Sequence, residues 1–163
     1  VQHFKSAPKT PLVVVLDNVR SLNNVGSVFR TADAFRIEKL VLCGITATPP
    51  NKEIHKTALG AEESVAWEYA PDTLSAVRAL QSTGVCAIAV EQAEGATMLT
   101  DLHLERGKTY ALVFGNEVKG VAQEVVSACD NTVEIPQYGT KHSLNVAVSA
   151  GVVIWECFKQ LHT

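Results

Sequence analysis

The sequence predicts an α/β fold: a mainly parallel six-stranded sheet with helices on both faces, in a single domain spanning residues 1–163. Three observations predict it. Runs such as Leu12-Val13-Val14-Val15-Leu16 are apolar at every position, which suits strands buried on both faces rather than on one. Such runs alternate with stretches of helical period along the whole chain, the pattern of successive βα units. Apolar residues make up 47% of 163 positions, enough for one sizeable core. The longest apolar run, Val146 to Ile154 with Ser149 inside it, is far short of a membrane span.

Each element has its own reason. Residues 1–10 read as a short, mildly basic leader without the apolar stretch of a signal peptide. The run 12–16 is the first strand. Residues 17–22 form the loop beyond its carboxyl end, and Asn23 or Asn24 caps the helix that follows. In that helix Val25, Val28, Phe29, Ala32 and Phe35 recur at i, i+3, i+4, i+7 and i+10, giving one apolar face, and Arg30 projects from the opposite side. Leu40 to Cys43 is the second strand, and Pro49-Pro50 breaks the loop of residues 46–51. Residues 53–61 are predicted helical, 65–69 a strand, and 73–82 a helix capped by Asp72 or Thr73. Val85 to Val90 is another buried strand. Residues 91–108 read mostly as loop, with Met98-Leu99 turned inward. Tyr110 to Phe114 is the fifth strand and 122–128 a short helix. Thr132 to Ile135 is the sixth strand, closed by Pro136, which has no N–H to give a ladder.

The final stretch predicts a partner. Gly139 permits a tight turn, Ser143 is a good N-cap, and a long helix follows. At 100° per residue, Asn145, Ser149, Glu156 and Gln160 fall within about 60° of one another. Apart from Lys159, everything else on the helix is apolar or small, so it needs its own sheet on one side and a second subunit on the other. A homodimer through residues 143–162 is expected, with Val148, Val152 and Trp155 at the contact.

Composition narrows the chemistry. Formal net charge is −3, so a nucleic acid would have to be met by a local patch rather than by a basic arm. Cys43, Cys86, Cys129 and Cys157 lie far apart in apolar contexts, and none pairs at zinc spacing. They are expected to be buried free thiols in a reducing cytoplasm. His3, His55, His103 and His162 are scattered and suggest no metal site, while His142 sits in a motif loop.

Three motifs carry a resemblance. Ile135-Pro136, Gly139 and Ser143-Leu144-Asn145-Val146, running to Glu156, resemble the third motif of the SpoU/TrmH methyltransferases. These are AdoMet-dependent RNA 2′-O-ribose methyltransferases of the knotted SPOUT class. Asn24-Val25-Gly26-Ser27-Val28-Phe29-Arg30-Thr31-Ala32 resembles the family's Asn-x-Gly-x-x-x-Arg-Thr-Ala, with Leu22 where relatives often have Pro. Phe114-Gly115-Asn116-Glu117-Val118-Lys119-Gly120 is similar to Phe-Gly-x-Glu-x-x-Gly, followed by Val-Ala-Gln-Glu where relatives commonly have Ser or Leu-Ser.

The resemblance implies methyl transfer from S-adenosyl-L-methionine (AdoMet) to a ribose 2′-hydroxyl of tRNA or rRNA, and a deep C-terminal trefoil knot. It places the cofactor at Phe114, Gly115, Asn116, Ile135, Pro136, Gly139, Ser143 and Leu144. Arg30 would activate the hydroxyl, held by Asn24, with Glu117, Ser143 and Asn145 completing the polar wall. Arg20, Arg30, Lys141 and His142 are the candidates for RNA contact. Gly115→Val is expected to fill the space the cofactor needs. Two other readings remain open: a catalytically inactive AdoMet- or RNA-binding module of the same fold, and an unrelated flavodoxin-like nucleotide-binding domain.

Overall fold

The structure is a computed structural model that describes residues 2–140 and 143–162. Its strands are β1 (Thr10–Asp17), β2 (Ile37–Cys43), β3 (Trp67–Ala70), β4 (Cys86–Val90), β5 (Thr97–Met98), β6 (Tyr110–Gly115) and β7 (Asn131–Glu134). They form one sheet in the order β3-β2-β1-β6-β4-β7-β5, and every paired neighbour is parallel. Parallel neighbours need crossovers, and helices α1 (Gln2–Ser6), α2 (Leu22–Ala34), α3 (Lys52–Ala58), α4 (Ala61–Ser64), α5 (Thr73–Ser82), α6 (Gln123–Ala128) and α7 (Val146–Leu161) stand beside and between the strands.

Side chains along β1 show how the core divides. Leu12, Val14 and Leu16 point to one face, where they pack with α2 and α7 residues such as Val25, Phe29 and Ile154. Val13 and Val15 point to the other, against Val77 of α5 and Val125 of α6. Both faces are therefore covered, which is why the run 12–16 has no polar member. A buried Phe29 or Leu16 is worth roughly 1.5–3 kcal/mol relative to exposure.

The sheet has seven strands, not six. The extra one, β5, lies in the stretch that the sequence reads as loop, and it adds only Thr97 and Met98 beside Val133 and Glu134 of β7. Two residues give no period to detect, and their pairing is decided by the neighbouring strand. Leu99 turns inward as expected, but Met98 stays exposed. The leader residues also hold structure, since α1 occupies 2–6 and Thr10 opens β1. The predicted helix 53–61 is broken into α3 and α4 by left-handed Leu59 and Gly60, with φ of 53° and 93°.

Two caps differ from expectation. Ser21, not Asn23 or Asn24, caps α2, its Oγ accepting from Asn24 N at 3.1 Å. Asn145, not Ser143, caps α7, its Oδ1 accepting from Ala147 N at 2.8 Å and Val148 N at 3.3 Å. In both places several cap-competent residues stand close together, and the backbone path chooses among them. The four cysteines are free thiols, Cys43 and Cys157 buried and Cys86 and Cys129 half-buried. Burial pushes Cys43 and Cys129 up to about 11 and Cys157 to about 12, so these three are inert at neutral pH.

Candidate active site at the carboxyl ends of the strands

Ligands of parallel sheets bind beyond the strands' carboxyl ends, and the polar residues of this chain gather there. Asp17 ends β1 opposite Gly115, the last residue of β6. Its buried carboxylate accepts from Asn18 Nδ2 at 3.0 Å, Thr73 Oγ1 at 2.6 Å and Ala122 N at 2.9 Å. That fixes the far end of the turn after β6.

The turn itself is closed twice, by Asn116 N donating to Gly120 O at 3.0 Å and Gly120 N to Asn116 O at 2.8 Å. Asn116 Oδ1 accepts from Val118 N and Lys119 N, and Asn116 Nδ2 donates to Asn18 O. Gly115 is required by this geometry. A Cβ there would stand 2.1 Å from the carbonyl carbon of Gly120. The expectation that Gly115→Val fills cofactor space is thus corrected: the added side chain collides first with the turn's own backbone.

Beside the turn lies a cavity of about 500 Å³. Of the residues proposed from the sequence, Phe114, Gly115, Asn116, Glu117, Ile135, Ser143, Leu144 and Asn145 line it. Pro136, Gly139, Asn24, Arg20 and Arg30 are not in its lining, and Lys141 and His142 lie outside the described residues. Gly139 is not at a positive φ, and a Cβ there would meet nothing within 4 Å among the described residues. Sequence reasoning missed Val90, Glu91, Gln92, Val118, Gly120, Gln137, Val146 and Ser149 in the lining. Glu91 and Gln92 were within reach, because they directly follow a buried strand at its carboxyl end.

The three motifs meet through side chains. Glu117 accepts from Arg20 N at 2.9 Å and Ser21 N at 2.7 Å, the entry to α2. Burial pushes its carboxyl up, but those two amides and the Asn24 side chain outweigh this and hold it below the usual glutamate value. Asn24 Oδ1 in turn accepts from Asn145 Nδ2 at 3.2 Å. Glu117, Asn24 and Asn145 therefore link the β6 turn, α2 and the cap of α7.

Arg30 stands apart. It is exposed on α2, and among the described residues it forms no hydrogen bond or ion pair. The expected contact between Asn24 and Arg30 is not made. Six residues separate them, about 9 Å along the helix and roughly 120° around it. Gly26 has a packing reason: a Cβ there would stand 2.0 Å from Thr57 Oγ1 and 2.3 Å from Ile54 O, so it lets α3 approach α2.

Helix α7 buries Ala150, Val153, Ile154 and Cys157 against the sheet. Its other side leaves Val148, Val152 and Trp155 exposed at 50%, 38% and 51%, beside a ring cluster of Phe35, Trp155, Phe158 and His162. Among the described residues no group of three or more His, Cys, Asp or Glu could hold a metal ion, and no helix is long and apolar enough to cross a membrane.

Comparison with known proteins bears on this site. The model of the SpoU rRNA methylase family matches residues 11–155. The chain is 31% identical over 157 residues to the 23S rRNA (guanosine-2′-O-)-methyltransferase of Neisseria meningitidis serogroup B, covering 96% of this chain and 62% of that protein. The AdoMet-bound rRNA methyltransferase of Sinorhizobium meliloti is similar with a TM-score of 0.87 at 27% identity, over 98% of this chain and 61% of that one. The TrmH/SpoU tRNA modifying enzyme of A. aeolicus is similar with a TM-score of 0.83 at 26% identity, over 96% of this chain and 78% of that one. The chain spans about six-tenths of the length of the curated relatives it matches. A family match over most of the chain, with likeness in both sequence and fold, places these motifs in one lineage: the chain belongs to the SpoU rRNA methylase family.

Proposed function

We propose that this chain is an RNA methyltransferase that moves a methyl group from AdoMet to a ribose 2′-hydroxyl of tRNA or rRNA. The observation that carries the reading is that the second and third motifs line one cavity, through Glu117 and Asn145, while Asn24 of the first motif bonds to Asn145 from outside the lining. The lining fits the cofactor. Phe114, Ile135, Leu144 and Val146 offer apolar walls for an adenine, Asn116 and Ser143 offer polar groups, and about 500 Å³ lies within the range of small-molecule sites. Pro136 and Gly139 complete the cofactor site from outside the described lining.

AdoMet when bound supplies a methyl group already activated by its positive sulfur. The protein's task is to align the hydroxyl with it and help the proton leave, and alignment together with acid–base help are the terms open to it. Glu117, Ser143 and Asn145 form the polar side of the cavity. Arg30 is free to meet the RNA, where a guanidinium can hold a phosphate and orient the hydroxyl. Arg20, Lys141 and His142 are the further RNA contacts.

The chain acts as one methyltransferase domain and as a homodimer through residues 143–162. The exposed Leu144, Val148, Val152 and Trp155 are the apolar surface for the second copy. The last third of the chain forms a trefoil knot, and the free thiols suit a reducing cytoplasm. Transfer of labelled methyl from AdoMet to bulk RNA, with nucleoside analysis for 2′-O-methylation, tests the proposal. Label in a 2′-O-methyl nucleoside is the expected result. AdoMet binding without any transfer to tRNA or rRNA would favour the inactive binding module.

A further inference from the structure

The described lining of the cavity is acidic. Among its described residues Glu91 and Glu117 are carboxylates, and none is Lys or Arg. Both carboxylates are fixed in place. Glu117 is held by the amides at the entry to α2. Glu91 Oε2 accepts from Val121 N at 2.8 Å and its Oε1 from Gln92 N at 3.0 Å. Gly120 makes room for it, since a Cβ at that position would stand 2.1 Å from Glu91 Oε2. Gly120 also holds a left-handed φ of 72°, so the last glycine of the second motif serves both the turn and the neighbouring carboxylate. Neither carboxylate forms an ion pair among the described residues.

We infer that Glu91 is a specificity-determining residue of the cofactor site, giving the cavity a fixed negative charge that favours cationic AdoMet over its neutral demethylated product, S-adenosyl-L-homocysteine. The inference rests on the cavity being the AdoMet site. At neutral pH AdoMet carries a positive sulfur, an ammonium and a carboxylate, which leaves one net positive charge. Methyl transfer breaks the sulfur–methyl bond, forms an oxygen–methyl bond and releases the hydroxyl proton. The ligand left behind has a neutral thioether sulfur and no net charge. A fixed carboxylate attracts a unit charge across a partly enclosed site far more strongly than across bulk water. Its hydrogen bonds to Val121 N and Gln92 N hold it in position, and among the described residues no cation pairs with it. Turnover thus removes the charge that helps to hold the ligand, and product release gains from the same carboxylate that retains substrate.

Calorimetric titration of the purified chain with three ligands tests this: AdoMet, S-adenosyl-L-homocysteine, and sinefungin, which carries an ammonium near the place of the methylated sulfur. The wild type should bind AdoMet and sinefungin about tenfold or more tighter than S-adenosyl-L-homocysteine. Added salt should narrow that gap. Glu91→Gln should weaken the two cations by about fivefold or more and change the neutral ligand by less than about twofold. Glu91→Asp, which keeps the charge, should keep the gap even if it loosens the turn. Equal weakening of all three ligands in Glu91→Gln would reduce Glu91 to a clamp on Val121 and overturn the inference. So would wild-type affinity for S-adenosyl-L-homocysteine equal to that for AdoMet. If the wild type binds none of the three, the cofactor reading of the cavity is what fails, and this inference falls with it.

Discussion

Six residues separate Asn24 from Arg30 on α2, and the helix holds them in opposite ways. Asn24 is half-buried and tied to Glu117 on one side and Asn145 on the other. Arg30, fewer than two turns later, is exposed and bonded to nothing among the described residues. One short motif therefore contributes both a framework residue and a free arm. A tied residue cannot be removed without moving the walls of the cavity, whereas a free one can be removed at little structural cost. Mutations that separate stability from chemistry test that division.

The largest expected loss of stability is in the tied region. Gly115→Val should cost about 3 kcal/mol or more, because its side chain meets backbone rather than a movable side chain, and AdoMet binding should be lost with the turn. Thermal unfolding and AdoMet titration check this. Gly139→Val is the contrast: no described atom lies within 4 Å of its Cβ position, and its melting temperature should stay near wild type. If Gly139→Val nevertheless abolishes AdoMet binding, its place in the cofactor site is supported on grounds other than folding.

Next comes Asn145→Ala. It removes the N-cap of α7 and the bond to Asn24 together. The cap alone is worth about 1 kcal/mol, or roughly 2–4 °C in melting temperature for a chain of this size. A double-mutant cycle with Asn24→Ala should show coupling above about 0.5 kcal/mol, and additive effects would mean the bond between them carries no energy.

A smaller effect appears in acid. Burial raises the Glu117 carboxyl, but the amides of Arg20 and Ser21 lower it more, so its folded value lies below the unfolded one. Its contribution is complete above the unfolded value, about 4.3, and is lost as pH falls through the folded value. The tie between the β6 turn and α2 should hold from neutral pH down to about the unfolded value and loosen as pH falls below it. Glu117→Gln should flatten part of the acid limb of a stability-against-pH curve; an unchanged limb would place the loss in other carboxylates.

Much of this division was legible in the residues, and what was hidden has physical causes. The buried strands were readable because a parallel sheet covered on both faces tolerates no polar member, as at residues 12–16 and 110–114. The short edge strand β5 was not, because its two residues are ordered by β7 rather than by any pattern of their own. The helix of Arg30 was visible from Val25, Val28 and Phe29, and so was the outward direction of Arg30 itself. The choice of Ser21 and Asn145 as caps was hidden by equally good neighbours. Glu117 was expected at the reaction centre, and the structure adds what its sequence position could not: the carboxylate holds the first turn of α2. The place of Glu91 at a strand's carboxyl end was readable, but its bond to Val121 N was not, because that partner is thirty residues away in sequence.

The smallest structural effect is expected at Arg30, and the largest chemical one. Arg30→Ala should change stability by less than about 0.5 kcal/mol, since the side chain is exposed and forms no bond among the described residues. AdoMet affinity should also survive, because Arg30 is not in the cavity lining. Arg30→Lys should not restore activity, as an ammonium lacks the planar fork. Whether the free arm does the chemistry while the tied residues hold the site is decided by single-turnover methylation of RNA by Arg30→Ala at saturating AdoMet and RNA. The rate should fall by about 10²-fold or more with AdoMet affinity unchanged. An unchanged single-turnover rate, with only RNA affinity reduced, would contradict it and leave Arg30 as a phosphate contact.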